Sequence, residues 1–547
     1  MTDKEALSPM TEKQEVANSV SEVDDKARDN ASSQETSDFD PNTYHEHNAG
    51  RLVVDPEEAK IEFGESVAKR LKLSRDGTKV LWPQPRDDPE DPQNWSDFRK
   101  NLQLLIVTLA AIVPDYDSGI GIADIFALAN QFGTTTEHIN NLTSNWSIFL
   151  LGWGGIFAVM LMRRFGRLPV MFWSQVLAMG WLIGCTFAPN LNTFTAMRCL
   201  NGFFATCPQV TGLYVVTDLF PFHIQARKLN LWTMGFIISP FLSPFMMGFI
   251  VARIDWRWTY GIGSIYSAIV VALIAFFGEE TMYDRKLPNP HPVPVPENRI
   301  RRRIETLVGI TGARMAKYRD SWHDAVFAIL NVAWRPHLLA VLLFEAMIFG
   351  FGIGINTTNA VFLGTPAPQG YGFSPFGIAG AYGTPIVAVV IGELLGRYFN
   401  DWMMNFSIRR NKGVFIAESR LWTCYIAVPL YICGFVLLGA SFQKHLSVGA
   451  LVMGWGIAQV AIMINTVAVY AYCNDCFPRM QGEISGLINL ARTLGGFSVA
   501  YFQVPWALKN GAIQTFGVEA AIVTGLFLLV VPIIQIKGAF LRERFGM

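Results

Sequence analysis

Charged residues are scarce in this 547-residue chain. They make up 16% of it, well under the roughly 25% that is usual for soluble domains, while apolar residues make up 51%. Basic and acidic residues number 44 each, so no excess of positive charge predicts a nucleic-acid partner. The composition therefore favours a membrane protein surrounded by a lipid bilayer.

The chain has few cysteines and lacks the common catalytic motifs. Its seven cysteines, an odd number, lie in or beside apolar runs, which argues against a disulfide framework. Cys473 and Cys476 form one CxxC motif without a second Cys or His pair nearby, so we expect no metal site. The sequence contains no phosphate-binding loop, HExxH motif or nucleophile elbow. We therefore predict no cofactor and no enzymatic activity.

Long apolar runs are abundant instead. A helix needs about 20 residues to cross the hydrocarbon core of a bilayer, and twelve stretches reach or approach that length. None of them alternates as a barrel strand would, so helices are the expected way to satisfy the backbone in lipid. The predicted spans are Leu102–Ile125, Leu142–Met162, Leu168–Phe187, Phe194–Val216, Leu229–Val251, Trp258–Phe277, Leu338–Phe362, Phe376–Leu395, Leu421–Ala440, Val448–Tyr472, Ile484–Trp506 and Ile513–Ile536.

One loop phrase occurs twice in the chain. Asp218-Leu219-Phe220-Pro221 and Asp475-Cys476-Phe477-Pro478 each follow one long apolar run and precede another. The repeat indicates that the second half is a diverged duplicate of the first. We therefore predict an all-α integral membrane protein with twelve transmembrane helices in two pseudo-symmetric six-helix bundles. Such internal duplication is typical of secondary transporters, whose halves rock about a central site.

Basic residues predict the orientation of these spans. If the amino terminus is cytoplasmic, the loops on that side carry 21 Lys and Arg residues and the loops on the other side carry four, as the positive-inside rule requires. Both termini are then cytoplasmic. Residues 1–40 hold 11 acidic and four basic residues, which is typical of a disordered tail. The predicted segments are a cytoplasmic tail over 1–97, largely disordered up to about residue 80, a first bundle over 98–278, a cytoplasmic central loop over 279–337, a second bundle over 338–536 and a cytoplasmic tail over 537–547.

Polar side chains inside the predicted spans are the candidates for binding substrate and protons. A charge at mid-bilayer costs about 2.5–3.5 kcal/mol, so it usually faces a cavity or a partner. Asp115 and Asp117 follow Pro114 in span one, where desolvation would suit a proton carrier; the alternative is that both lie in water at the outer end, as we expect for Asp124. The other candidates are Arg198 in span four, Glu345, Asn356 and Asn359 in span seven, Glu393 in span eight, and Asn489 and Arg492 in span eleven.

Each of these candidates also has a purely structural interpretation. Arg198 would form an ion pair near the outer end of its span, and Glu393, predicted three residues from the inner end of span eight, would reach water. Gly235, Pro240 and Pro244 would let span five approach a neighbour closely and bend. Asp218 and Asp475 end their spans on the inner side, where we expect them to accept hydrogen bonds from nearby backbone or to pair with Arg227 or Arg479, and so to brace a gate.

Several motifs appear in order along the chain. They are Asp91-Pro92-Gln93-Asn94-Trp95-Ser96, Arg164-Phe165-Gly166-Arg167, Arg198-x-x-x-Gly202, Gly235-x-x-x-Ser239-Pro240, Trp256-Arg257-Trp258, Glu418-x-Arg420-Leu421 and Asn489-x-x-Arg492. Over residues 85 to 540 the chain thereby resembles the major facilitator superfamily, and within it the fungal twelve-span drug:proton antiporters. It departs from that pattern where Arg163 replaces an aspartate and where Ser239 and Ser243-Pro244 replace glycines.

The resemblance implies a secondary active transporter. We expect proton-coupled export of a drug, toxin or secondary metabolite, and keep two alternatives: proton-symport uptake of a polyamine or other nutrient, and a non-transporting receptor. The expected partners are a small-molecule substrate, protons and lipid, without nucleic acid, and the expected state is a monomer. The expected location is the plasma membrane, with a vacuolar or other internal membrane as the alternative.

Overall fold

The computed structural model describes residues 40, 43–44, 47–48, 50–285, 292–294, 296–366 and 370–545. Helices dominate this part of the chain, and its two short strands, Arg51–Val53 (β1) and Val414–Ile416 (β2), form one antiparallel pair. Ten helices of the described residues are long and apolar enough to cross a membrane.

The two other predicted spans, four and eleven, are helical but interrupted or polar. Span four is divided at Thr206, and Pro208 lies at the start of its second piece, where proline is tolerated because the first turn needs no N–H donor. Span eleven contains Glu483 and Arg492, which lower its mean hydropathy. Counting both, the described residues contain the twelve predicted spans.

From span one to span twelve the helices are Asp97–Ala123; Trp146–Phe165; Arg167–Thr186; Leu191–Ala205 with Cys207–Leu219; Phe222–Val251; Arg257–Phe277; Pro336–Gly364; Pro375–Ala381 with Gly383–Arg410; Cys424–Lys444; Val448–Cys476; Gln481–Asn510; and Ala512–Phe545. Shorter helices are Pro56–Phe63, Glu65–Ala68, Ile125–Phe132, Thr136–Asn140, Arg299–Val308, Ile310–Met315 and Trp322–Ala333. Short segments of other helix types cover Pro92–Asn94, Asn141–Asn145 and Ala417–Thr423.

The helix pairing repeats after six spans. In the first half, span one packs on span five, and span three packs on spans four and six. In the second half, span seven packs on span eleven, and span nine packs on spans ten and twelve. The two bundles meet mainly through spans two and eleven and through spans five and eight, which are equivalent pairs under the same shift. The duplication predicted from the loop phrase is therefore visible in the packing.

The predicted disorder extends too far along the amino-terminal tail. Residues 51–96 were expected to include disorder up to about residue 80, but they form β1, two short helices and a 3₁₀ turn. The indole of Trp82 is fully buried, and burial of such a side chain supplies the packing that composition alone does not reveal. At the other end, the last helix continues through residues 537–545. The proline-rich run at 288–296 lies mostly outside the described residues.

Spans seven and eleven touch through their backbones. A Cβ atom built on Gly495 would overlap the carbonyl of Ala346, and one built on Gly350 would lie 2.7 Å from the carbonyl carbon of Gly495. Small residues allow such close crossings between membrane helices. The crossing fixes span eleven, which carries Arg492, against the rest of the second bundle.

This crossing predicts the effect of a single methyl group. We expect Gly495→Ala to destabilise the folded protein by at least about 1–3 kcal/mol, since the backbone must move to make room. Thermal unfolding of purified protein in detergent measures the loss. Gly525→Ala in span twelve is the matched control, because a Cβ there meets no atom within 4 Å. Equal melting temperatures for the two variants would contradict the proposed crossing.

Candidate functional site

A buried polar cluster lies between the two bundles. On the side of the first bundle, the Gln209 amide of span four donates a hydrogen bond of 2.7 Å to the Asp115 carboxylate of span one. Pro114, inside the helix that carries Asp115, removes one backbone donor and loosens the helix there. Asp115 therefore lies where the helix of span one is weakest.

Arg492 of span eleven contributes the cation of this cluster. Its side chain is 2% exposed, and its guanidinium lies 3.7 Å from the ring centroid of Phe349 and 4.5 Å from that of Phe236. Stacking against two aromatic faces suits a planar guanidinium better than an ammonium. Its guanidinium also donates to the Tyr470 hydroxyl of span ten at 3.5 Å.

Glu345 completes the set of charges. It is fully buried in span seven, and the Thr466 hydroxyl of span ten donates a hydrogen bond of 2.8 Å to one of its oxygens. Its second oxygen makes no hydrogen bond among the described residues. A buried carboxylate without full compensation is costly as an anion.

Amide and hydroxyl groups join the bundles beside these charges. Asn489 donates a hydrogen bond of 3.1 Å to the Thr206 hydroxyl of span four, at the break in that span. The Ser485 hydroxyl donates to the Gln209 carbonyl at 3.4 Å. We call the group of residues Asp115, Thr206, Gln209, Glu345, Thr466, Ser485, Asn489 and Arg492 the interface cluster. The sequence predicted its three charged residues and Asn489 but not its uncharged partners.

Asp117 and Arg198 lie elsewhere, inside the first bundle. Asp117 accepts a hydrogen bond of 3.0 Å from Asn201, and Arg198 donates to the Ser118 carbonyl at 3.4 Å and lies 5.6 Å from the ring centroid of Tyr260. Asp115 and Asp117 are two residues apart on one helix, so they face different sides. Asp117 and Arg198 are fully buried, which suits an internal electrostatic pair rather than a residue at the bundle interface.

Two exposure predictions are wrong. Asp124 was expected in water, but it is fully buried and accepts a hydrogen bond of 2.5 Å from the Thr259 hydroxyl of span six. Glu393 was expected near the end of span eight, but that helix continues to Arg410 and the Glu393 side chain is 5% exposed. The length of an apolar run underestimates the length of such a helix, because polar residues continue the helix beyond its apolar stretch.

The two asparagines of span seven lie toward the end of that helix. Both are buried, and the backbone carbonyl of Asn356 accepts a hydrogen bond of 2.7 Å from the Tyr382 hydroxyl of span eight. The amide of Asn359 makes no hydrogen bond within the described part of the chain. Neither residue contacts the interface cluster through a hydrogen bond among those residues.

The bundles close on both sides of the cluster. We name the end of the bundles that carries residues 50–96 the tail face, and the opposite end the far face. At the tail face, Arg163 of span two forms ion pairs with Glu483 of span eleven at 2.7 Å and with Asp320 of the central loop at 2.9 Å. At the far face, the rings of Trp146 and Phe497 lie 5.4 Å apart. The interface cluster is therefore enclosed between two layers of contacts.

The repeated loop phrase supplies an equivalent ion pair to each bundle. Asp218 pairs with Arg167 at the start of span three, and Asp475 pairs with Arg420 at 2.9 Å, just before span nine. Of the two predicted partners Arg227 and Arg479, Arg227 pairs instead with Asp401 at 2.7 Å. Sequence proximity suggested those partners, whereas the fold brings a distant arginine to each aspartate.

The remaining motif residues shape helix ends and crossings. Gly166 has a φ of 96° between spans two and three, and Glu280 accepts hydrogen bonds from the backbone N–H groups of Arg167 and Leu168 that follow it. Arg164 donates to the Asp320 carbonyl at 3.0 Å. Close crossings involve Gly202 with Ser147, Gly235 with Thr108, and Pro240 and Pro244 with Gly119. These roles are architectural, as the sequence indicated for span five.

One buried acid was not found from the sequence. Glu519 of span twelve is fully buried, and both of its oxygens accept hydrogen bonds from the Gln503 amide, at 3.0 and 2.9 Å. The Thr358 hydroxyl donates to the same Gln503 side chain at 2.9 Å. A single carboxylate inside an apolar span is a signal that a search of all twelve spans would have found.

With this geometry established, comparisons with known proteins decide the family. The family model described as Major Facilitator Superfamily matches residues 102–500, which is well over half of the chain. The chain belongs to the major facilitator superfamily. It is thus a transporter and not an enzyme, with twelve transmembrane helices in two bundles, and it is a multi-pass membrane protein.

Relatives of this superfamily member are fungal. It is 28% identical to "MFS transporter fsa7" of Fusarium sp. (strain FN080326) over 399 residues, covering 71% of this chain and 75% of the relative. It is 22% identical over 471 residues to "Efflux pump radE" of Floropilus chiversii, covering 84% of each. A solved structure of the proton:xylose symporter XylE, at 13% identity and a TM-score of 0.55, covers 80% of this chain and 96% of that one and shares the fold.

Proposed function

We propose that this transporter exports a small organic compound, such as a drug, toxin or secondary metabolite, in exchange for protons. The observation that carries the proposal is the interface cluster at the junction of the bundles, in which Gln209 bonds to Asp115, Thr466 bonds to Glu345, and Asn489 of the helix that carries Arg492 bonds to Thr206. One cation faces two carboxylates there, so the set has a net negative charge unless one acid is protonated. A proton or a substrate group restores neutrality at this position.

The surroundings of the cluster favour an organic substrate. Phe236, Phe349 and Tyr470 lie around Arg492, and the Gln209 and Asn489 amides offer hydrogen bonds. Apolar walls with a few fixed polar groups are typical of small-molecule sites. The direction of transport is supported by the relative named as an efflux pump. We assign the tail face to the cytoplasm because the basic loops lie there. The plasma membrane is the location that we propose.

Alternating access supplies the cycle in this proposal. With both faces closed, protonation of Asp115 weakens its attraction to Arg492, and this attraction joins the first bundle to the second. The bundles then separate at one face by rotation about the cluster. If the acids are protonated before the bundles rotate, no uncompensated charge moves within the membrane, where such a charge has a high free energy.

Accumulation assays in cells test this function. Cells that produce the protein should retain less of an exported compound than cells that produce Asp115→Asn, across a panel of hydrophobic drugs and fungal metabolites. A protonophore should abolish that difference, because export would lose its driving gradient. Greater accumulation in producing cells would instead indicate uptake by symport. Equal retention with and without the protonophore would contradict proton coupling.

A further inference from the structure

The amino-terminal segment is bonded to the second bundle. Strand β1 pairs with β2, which lies between spans eight and nine, so that Leu52 faces Phe415 across the ladder. The ladder is extended on both sides by hydrogen bonds, from the Ala417 N–H to the Gly50 carbonyl at 2.8 Å and from the Val54 N–H to the Gly413 carbonyl at 3.1 Å. The segment therefore adds a strand to a loop of the second bundle.

The same segment is bonded to the first bundle through Trp82. The indole N–H of this fully buried side chain donates to the Val53 carbonyl of β1 at 2.7 Å. Its own backbone carbonyl accepts from the Phe222 N–H, at the start of span five, at 2.9 Å. The Phe222 ring also lies 4.9 Å from the Phe415 ring of β2. One tryptophan thus connects a strand held by the second bundle to a helix of the first.

The carboxyl-terminal end of the segment is anchored to the central loop. Asp91 is fully buried and pairs with Arg285 at 2.7 Å. Tyr283 donates a hydrogen bond of 2.7 Å to Asp88. Burial, followed by this hydrogen bond, raises the pKa of Tyr283, so it remains a neutral donor. The motif that opens the first span therefore fixes the segment at a third point.

A cavity of about 970 Å³ lies behind this segment at the tail face. Leu52, Trp82 and Arg86 of the segment form part of its wall, together with Asp218 of the first bundle and Asp475 of the second. Opening of the tail face must separate spans five and eight. That movement would stretch the connection from β2 through β1 and Trp82 to Phe222, because its two ends belong to different bundles.

We propose that residues 50–96 form a latch that holds the tail face closed and that must release β2 or Phe222 before the face can open. The latch is independent of the proton-binding groups, since none of its residues belongs to the interface cluster. It makes opening of this face depend on a segment outside both bundles. Any factor that binds or displaces the segment would control access to the interface cluster.

Thiol labelling of Ser485→Cys tests the latch without knowledge of the transported compound. Ser485 is fully buried between spans four and eleven near the tail face, so a membrane-impermeant maleimide reaches it faster when that face opens more often. The experiment uses a variant in which the seven native cysteines are replaced. This variant is held in nanodiscs, where both faces meet solvent. We expect Trp82→Ala and Leu52→Pro, which interrupts the strand ladder, each to raise the labelling rate at least about fivefold.

Ile61→Ala is the matched control, because Ile61 is in the same segment and is 69% exposed; its labelling rate should equal that of the parent. Thermal unfolding shows whether each variant is folded, and if Trp82→Ala is not, Leu52→Pro decides, since it leaves the fully buried Trp82 side chain in place. Parental labelling rates in folded latch variants would overturn the proposal. Because labelling needs no transport, a failure of the proposed export function would not affect this result.

Discussion

Asp115→Asn is expected to abolish net proton-driven transport while leaving substrate exchange intact. Asparagine keeps the size of the side chain and can still bond to Gln209, but it cannot release a proton. In proteoliposomes, uphill transport driven by a pH gradient should fall at least about tenfold, which corresponds to about 1.4 kcal/mol. Exchange of labelled for unlabelled compound, which needs no net proton movement, should remain near the parental rate.

Asp117→Asn is the matched control for this prediction. Asp117 lies two residues further along the same helix, is fully buried, and bonds to Asn201 within the first bundle. We expect it to retain gradient-driven transport. If Asp117→Asn loses gradient-driven transport and Asp115→Asn does not, the proton site lies inside the first bundle. Parental transport by both variants would exclude the opening helix from coupling.

Arg492→Ala should be more damaging than any other single substitution in the cluster. Removal of this cation leaves Asp115 and Glu345 as the charged residues of the cluster, and a buried charge left without an opposite charge costs about 3–5 kcal/mol. We expect a large loss of thermal stability in detergent together with loss of transport. Arg492→Lys should retain the fold with reduced transport, because an ammonium does not stack on Phe236 and Phe349 as a guanidinium does.

A double substitution separates stability from function at this site. Adding Glu345→Gln to Arg492→Ala should restore part of the lost stability without restoring transport, because one uncompensated carboxylate is removed. Lys509→Ala, at the exposed end of the same helix, is the control and should melt like the parent. If Arg492→Ala melts like Lys509→Ala, the charge balance at the bundle junction is not as described.

Much of the architecture follows from sequence patterns. Run lengths and the distribution of Lys and Arg predicted twelve helices, and the repeated Asp-x-Phe-Pro phrase predicted their duplication. The comparisons confirm the family and the fold. The ion pairs of Asp218 with Arg167 and of Asp475 with Arg420 show why that phrase recurs: each bundle needs the same connection at the same position.

The details of the site were less accessible to sequence analysis. Helical spacing separates the faces of Asp115 and Asp117, but it does not say which face meets the second bundle. Glu393 was misplaced because polar residues extend span eight beyond its apolar run. The pairing of β1 with β2 joins strands more than 350 residues apart along the chain, and three residues of ordinary β propensity give no local signal of such a partner.

The measurement that tests the account most directly is internal pH during transport. Proteoliposomes containing a pH-sensitive dye and a compound identified by the cellular assay should show a pH change when the compound moves. The account predicts a change that requires both the compound and the parental protein, and that is absent with Asp115→Asn. Movement of the compound through the parental protein without any change in internal pH would contradict it.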